Sequence, residues 1–131
     1  MLHRVVLAAA CASFDEVQLA VLFGSAARGA IRADSDLDVG VILSPDTPEA
    51  RLRVEAALSR LCDRPLDLVF INDAPPQLRF EIAKGTPLFE REPGAWVGMK
   101  TAAMIDWWDW QPEARAFHRL YLDRLRTQVG M

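Results

Sequence analysis

The chain has little of several features that define common classes of protein. Its 131 residues include only two cysteines and two histidines. Two cysteines cannot build a disulfide framework, and both lie in helical patterns, so we expect Cys11 and Cys62 to be buried thiols. The histidines have no partners at metal-ligand spacing. No apolar run reaches the roughly 18–20 residues that a membrane span needs, so we expect no membrane partner.

The chain also carries no excess of positive charge, with 15 Lys and Arg against 18 Asp and Glu. The formal net charge is −3 at pH 7, which argues against long contacts with a nucleic-acid backbone. The N-terminal apolar run from Val5 to Ala12 has no cleavage site of small residues after it, and Asp15-Glu16 follows instead. We therefore expect residues 2–13 to form an amphipathic helix and the protein to be cytoplasmic.

What is present is the composition of one globular domain, with 51% hydrophobic and 25% charged residues. Apolar runs bounded by turn residues predict strands at 18–23, 36–43 and 66–71, with a short edge strand at 87–90. Helical patterns cover 2–13, 48–62, 77–84, 95–107 and 112–127.

These elements predict an α/β (α+β) fold, in which a small mixed sheet of three to four strands has helices packed on one face. We expect a single domain over residues 1–131. Residues 1–90 form its core, and residues 91–131 form an appendage that is a C-terminal helical pair.

The stretch from Gly24 to Asp38 carries the clearest chemical signal. Gly24-Ser25 follows the first strand, and its backbone N–H groups and hydroxyl suit a phosphate at a helix start. Asp36 and Asp38 share one face of the second strand, about 7 Å apart, and would repel each other without a cation. Because Mg²⁺ is usually held by one or two carboxylates plus substrate phosphates, the motif indicates nucleotide chemistry.

Asp67 lies inside the otherwise apolar third strand. It is either an aspartate at an exposed strand end or a third metal ligand beside Asp36 and Asp38, where a metal would compensate its charge. Arg28 is equally open, since its guanidinium either contacts substrate phosphates or lies at the surface.

The order Gly24-Ser25, then Asp36-Leu37-Asp38, then a single Asp67 resembles the DNA polymerase beta-like nucleotidyltransferase superfamily. With the short chain and the segment Gly85-Thr86-Pro87-Leu88-Phe89, it is similar to the minimal (MNT) nucleotidyltransferases. These are commonly the antitoxin half of HEPN/MNT toxin–antitoxin pairs. The resemblance covers roughly residues 1–90.

The resemblance implies a transfer of a nucleoside monophosphate, AMP from ATP, to a hydroxyl. Asp36, Asp38 and Asp67 would be the catalytic and metal-binding residues and would hold two Mg²⁺ ions. Gly24, Ser25 and Arg28 would bind the nucleotide. The partner would be a HEPN-domain toxin, with the acceptor hydroxyl on one of its tyrosines.

All four tryptophans lie between residues 96 and 110. They either pack the C-terminal helices onto the core or form a partner surface, and the adjacent Trp107 and Trp108 cannot both be hidden on one helix face. One alternative to the toxin-modifying enzyme is an antitoxin that acts by binding alone. Another is an enzyme whose acceptor is either a small molecule such as an aminoglycoside or the 3′ end of an RNA.

Overall fold

The computed structural model describes residues 2–24 and 36–128. Within them the chain forms four strands, β1 (Val17–Phe23), β2 (Leu37–Leu43), β3 (Leu66–Phe70) and β4 (Thr86–Glu90). It also forms four α-helices, α1 (Leu2–Ser13), α2 (Pro48–Arg60), α3 (Pro76–Ala83) and α4 (Ala95–Gln128), and a short 3-10 helix at Ile71–Asp73. The predicted mixed α/β fold class is confirmed.

The four strands form one sheet in the order β3-β2-β1-β4. β1 is antiparallel to both of its neighbours, whereas β3 runs parallel to β2 because α2 returns the chain across the sheet. The last residues of β1 and the first residues of the other three strands therefore lie at the same end of the sheet. We call it the carboxylate end, after Asp38 and Asp67. The predicted edge strand at 87–90 is β4, one residue longer than expected.

Helices cover both faces of the sheet, and the expectation that they pack on one face is wrong. On one face, α1 and α2 bury a cluster that includes Leu7, Val39 and Leu58. On the other face, α3 and α4 cover a second cluster that includes Val21 and Ile82. The reason is the apolar composition of β1, which is buried along nearly its whole length and so requires cover on both faces.

The C-terminal region is one helix of 34 residues, not the expected helical pair. Pro112 lies inside α4. An interior proline removes one backbone hydrogen bond and costs about 3 kcal/mol relative to alanine. Helix extension is cooperative, so the hydrogen bonds on either side of one interruption keep a long helix continuous. No helix in the described part of the chain is both long and apolar enough to cross a membrane.

Candidate active site

The carboxylate end brings together side chains that are far apart in the sequence. In the register of the sheet, Phe23 of β1 lies opposite Asp38 of β2, and Asp38 lies opposite Asp67 of β3. Residues an even number of positions apart on a strand share a face. Ile42 of β2 and Val69 of β3 pack in the cluster beneath α3 and α4, so Asp38 and Asp67 project from the same face. The fold therefore places two carboxylates side by side.

The two carboxylates interact strongly. Burial raises the pKa of Asp38, and the negative charge of Asp67 and a hydrogen bond with its side chain raise it further. The charge of Asp36 adds a smaller effect in the same direction. Asp38 is half-buried, while Asp67 and Asp36 are exposed to solvent. A shared proton or a cation would relieve this repulsion.

Gly24 is required beside this pair for two reasons. Its φ of +73° lies in the left-handed region, which side chains with a Cβ rarely adopt. A Cβ at this position would also collide with Oδ2 of Asp38. The backbone at Gly24 therefore lies directly against the carboxylate of Asp38.

Asp36 lies one residue before β2, and its negative charge contributes to the raised pKa of Asp38. Within residues 2–24 and 36–128, no three His, Cys, Asp or Glu side chains form a group that could hold a metal ion. The carboxylate oxygens of Asp38 and Asp67 are still suitable ligands for a divalent cation. The two side chains are adjacent and repel each other, and such an ion would neutralise their charges. Ser25 and Arg28, which the sequence assigns to nucleotide binding, lie outside the described residues.

Sequence reasoning missed the part that Gly85 plays in building this edge. A Cβ on Gly85 would overlap the carbonyl oxygen of Leu22 and would lie 3.0 Å from Cβ of Phe23. The glycine thus lets the end of α3 pack against the last residues of β1. The signal was available in the Lys84-Gly85-Thr86 segment, where a glycine separates a helical pattern from a strand.

The tryptophans divide between the core and the surface. Trp96 packs against the cluster beneath α4. Trp107 stacks on Phe80 of α3, with ring centroids 5.1 Å apart and planes 14° from parallel. Trp108 is 63% exposed, as expected for a neighbour on the other side of the helix. The side chain of Trp110 lies outside the described residues.

A mixed sheet that sets paired aspartates of two parallel strands beside a glycine turn is the arrangement of a nucleotidyltransferase domain. The family model described as Polymerase beta, Nucleotidyltransferase matches residues 7–94. The chain belongs to this family, and the resemblance inferred from the aspartates is confirmed. No curated protein matches the chain significantly.

Several solved structures share the fold. A toxin–antitoxin with AMP-PNP is 20% identical, with a TM-score of 0.74 over 93% of this chain and 99% of that chain. A tri-AMPylated Shewanella oneidensis HEPN toxin in complex with MNT antitoxin contains a chain that is 19% identical, with a TM-score of 0.69 over 92% of this chain and 97% of that chain. A protein described as a minimal nucleotidyltransferase is 30% identical, with a TM-score of 0.55 over 65% of this chain and 87% of that chain.

Proposed function

We propose that this chain is an MNT antitoxin that transfers AMP from ATP to a tyrosine hydroxyl of a HEPN-domain toxin, in a Mg²⁺-dependent reaction in the cytoplasm. The observation that carries the proposal is the contact between Asp38 and Asp67 at the level of the Gly24 turn. Similar structures add support, since one is a toxin–antitoxin with AMP-PNP and another contains a tri-AMPylated HEPN toxin.

In this proposal Asp36, Asp38 and Asp67 are the residues that would hold two Mg²⁺ ions. When bound, such ions neutralise the phosphate charge and make the acceptor hydroxyl a stronger nucleophile. Gly24 allows the turn to lie against the phosphates, where Ser25 and Arg28 donate hydrogen bonds to them.

The chain's own groups position the reaction and accept the proton. The tyrosine oxygen forms a bond to the α-phosphorus, the bond from that phosphorus to the bridging oxygen breaks, and pyrophosphate leaves. Asp67 accepts the hydroxyl proton. Its exposed side chain is accessible from solvent at the edge of the sheet, so an incoming acceptor can reach it.

Transfer of label from α-³²P-ATP to the purified toxin tests this function. We expect labelled toxin with the wild-type chain and Mg²⁺, and at least a hundredfold less with the Asp36→Asn/Asp38→Asn double variant or with Asp67→Asn. Asp15→Asn is a matched control, because Asp15 is an exposed aspartate in the turn before β1, at the opposite end of the strand from Gly24. Undiminished transfer by the double variant would show that the site is misassigned.

The same experiment separates this function from its alternatives. An antitoxin that acts by binding alone would neutralise the toxin equally well with the double variant, without label transfer. An enzyme for a small-molecule acceptor would leave the toxin unlabelled. A neighbouring gene for a short all-helical protein with an Arg-x4–6-His motif is the expected source of the toxin.

We assign the toxin-binding surface to α4, whose exposed apolar side chains include Val97, Ile105 and Trp108. Exposed aromatic and aliphatic side chains on one helix are typical of protein interfaces. Trp108→Glu should weaken toxin binding at least tenfold in a pull-down titration without lowering the melting temperature. Leu52→Glu is the control, since Leu52 is 70% exposed on α2, on the other side of the sheet. Equal toxin binding by the wild type, Trp108→Glu and Leu52→Glu would exclude this surface.

A further inference from the structure

A cavity of about 440 Å³ lies between the sheet and helices α3 and α4. Its lining comes from β2, the 3-10 helix, α3 and α4, and includes Ile42, Ile71, Met99 and Ala103. Asp38 is the second residue of β2 and Ile42 is the sixth, so roughly 13 Å of strand separate them. The cavity therefore lies toward the end of the sheet opposite the carboxylate end.

Core side chains separate this cavity from the aspartates. Gly40 lies between Asp38 and Ile42 on the same face of β2. Ile71 and Ile82 pack over Gly40, since a Cβ built there would lie 3.2 Å from Cγ1 of Ile71 and 3.3 Å from Cδ1 of Ile82. Both isoleucines are fully buried. The cavity is therefore a second site, distinct from the candidate active site.

The lining has the composition of a small-molecule site. Such sites have volumes of roughly 300–1,000 Å³, an apolar lining and a few polar groups that fix the orientation of the ligand. Two polar side chains, Asn72 and Arg79, line this cavity beside the apolar ones. The amide of Asn72 is already bonded to the backbone of Leu43, accepting from its N–H at 2.9 Å and donating to its carbonyl at 2.8 Å.

The guanidinium of Arg79 is only loosely held. Its Nη1 lies 3.7 Å from Oδ2 of Asp106, which is longer than a hydrogen bond, and the Asp106 side chain is half exposed. Its Nε is buried and has no hydrogen-bond partner among the described residues. A buried donor without an acceptor is unfavourable, so the guanidinium would gain from an acceptor inside the cavity.

We propose that this cavity binds a small organic anion, with its apolar body against Ile42, Ile71 and Met99 and its anionic group on the guanidinium of Arg79. A guanidinium donates from a planar fork that fits two oxygens of a carboxylate, sulfonate or phosphate group. The positive charge favours an anion over a neutral ligand, and the apolar lining favours an organic anion over inorganic phosphate. The site is independent of the proposed nucleotidyl transfer, which uses neither Arg79 nor this cavity.

Two fluorescent probes with the same aromatic body test the two parts of the proposal. Anilinonaphthalene sulfonate carries one negative charge, and phenylnaphthylamine is the same body without the sulfonate. We expect the folded chain to bind one molecule of the sulfonate, and Arg79→Met to weaken that binding about tenfold. Binding of the neutral probe should stay within twofold, which also shows that the cavity is intact in the variant. Arg53→Met is the control, because Arg53 is an exposed, ion-paired arginine on α2, on the other side of the sheet.

A second charge variant separates ligand binding from a structural role of Arg79. If Arg79 only joins α3 to α4 through Asp106, then Arg79→Met and Asp106→Asn remove the same ion pair and have the same effect. If Arg79 binds the anion, Asp106→Asn leaves binding of the sulfonate equal or tightens it two- to threefold, because it removes a competing negative charge.

A pair of neighbouring residues on α4 tests the location. Ala102 lines the cavity, whereas Thr101 is exposed and points about 100° away around the helix. Ala102→Phe should fill the cavity and weaken binding of both probes about tenfold, and Thr101→Phe should weaken neither.

Four results would overturn this inference. The first is binding of the sulfonate that Arg79→Met or Ala102→Phe leaves unchanged, and the second is a parallel loss in Arg79→Met and Asp106→Asn. Displacement of the sulfonate by AMP-PNP with Mg²⁺ would make the cavity part of the nucleotide site. Displacement by an equimolar amount of the purified toxin would make a side chain of that protein the occupant instead of a small molecule.

Discussion

Replacing Asp38 by asparagine should stabilise the chain when no metal is present and remove its response to magnesium. Asn has nearly the shape of Asp and can still form a hydrogen bond to Asp67, but it carries no charge. The substitution therefore removes the repulsion between the two carboxylates and retains their packing.

The size of the effect follows from the separation of the charges. Two unit charges about 4 Å apart interact by about 1 kcal/mol in water and about 4 kcal/mol near a protein surface. Because Asp67 is exposed, we expect a gain near the lower value. For a chain of this size, a gain of about 1 kcal/mol raises the melting temperature by about 3–5 °C.

The effect should depend on pH in a defined direction. The pKa of Asp38 is raised in the folded chain. At pH values between the ordinary and the raised pKa, the folded state therefore keeps a proton that the unfolded state has released. The contribution of Asp38 to stability is therefore greatest below the ordinary aspartate pKa of roughly 3.9 and falls as pH rises through the raised value. The advantage of Asp38→Asn should be small at acidic pH and reach its full size by neutral pH.

Magnesium should reverse the order of the two proteins. At a concentration ten times its dissociation constant, a ligand that binds only the folded state adds about 1.4 kcal/mol. Thermal denaturation with EDTA and with increasing Mg²⁺ measures this, with Asp15→Asn as control. A variant that melts below wild type in EDTA at neutral pH, or that keeps the full magnesium response, would refute the assignment of Asp38.

Three further predictions concern the scaffold of the site. Gly24→Ala should lower the free energy of unfolding by at least about 1 kcal/mol, since it forces a Cβ into a left-handed conformation and against Asp38, and chemical denaturation would show it. Leu58→Ala should cost about 2–5 kcal/mol because Leu58 is fully buried, whereas Leu52→Ala on the same helix should cost under about 0.5 kcal/mol; equal losses would contradict the core described here. Burial raises the pKa of the Cys11 thiol to about 11. Its thiol should therefore resist alkylation in the folded chain at pH 8, and stability should fall as pH rises from about 9 to 11, because the unfolded thiol ionises first. Rapid alkylation of Cys11 under native conditions would disprove this.

The carboxylate end could be predicted because strand periodicity is local. Alternation along the predicted strand 36–43 puts Asp36 and Asp38 on one face, and a lone aspartate in an apolar strand already suggests a neighbour that tolerates its charge. The pairing of Asp38 with Asp67 depends on the parallel register of β2 and β3, which no local pattern specifies. It was inferred through the resemblance to known nucleotidyltransferases.

The helix faces were harder to predict because two apolar patterns compete on α2. The apolar residues Leu52, Ala56, Leu58 and Leu61 predict a core-facing side, but only Leu58 is buried, and Leu52 and Leu61 are 70% and 43% exposed. The buried side is formed by Ala50, Val54 and Leu58, which follow each other at intervals of four. Size of the apolar side chain was a poorer guide than spacing, because the sheet fixes which face of the helix is covered.

The 34 residues of α4 would span about 51 Å at 1.5 Å per residue, whereas the longest strands would span about 23 Å. Trp96, Met99, Ala103 and Trp107 are among the residues of α4 that contact the rest of the domain or are buried against it. A protein bound to the turns of α4 beyond Trp107 would be held at a distance from the aspartates that the length of the helix sets. Inserting or deleting about one turn there would move the bound protein by about 5.4 Å along the helix axis without changing the carboxylate end.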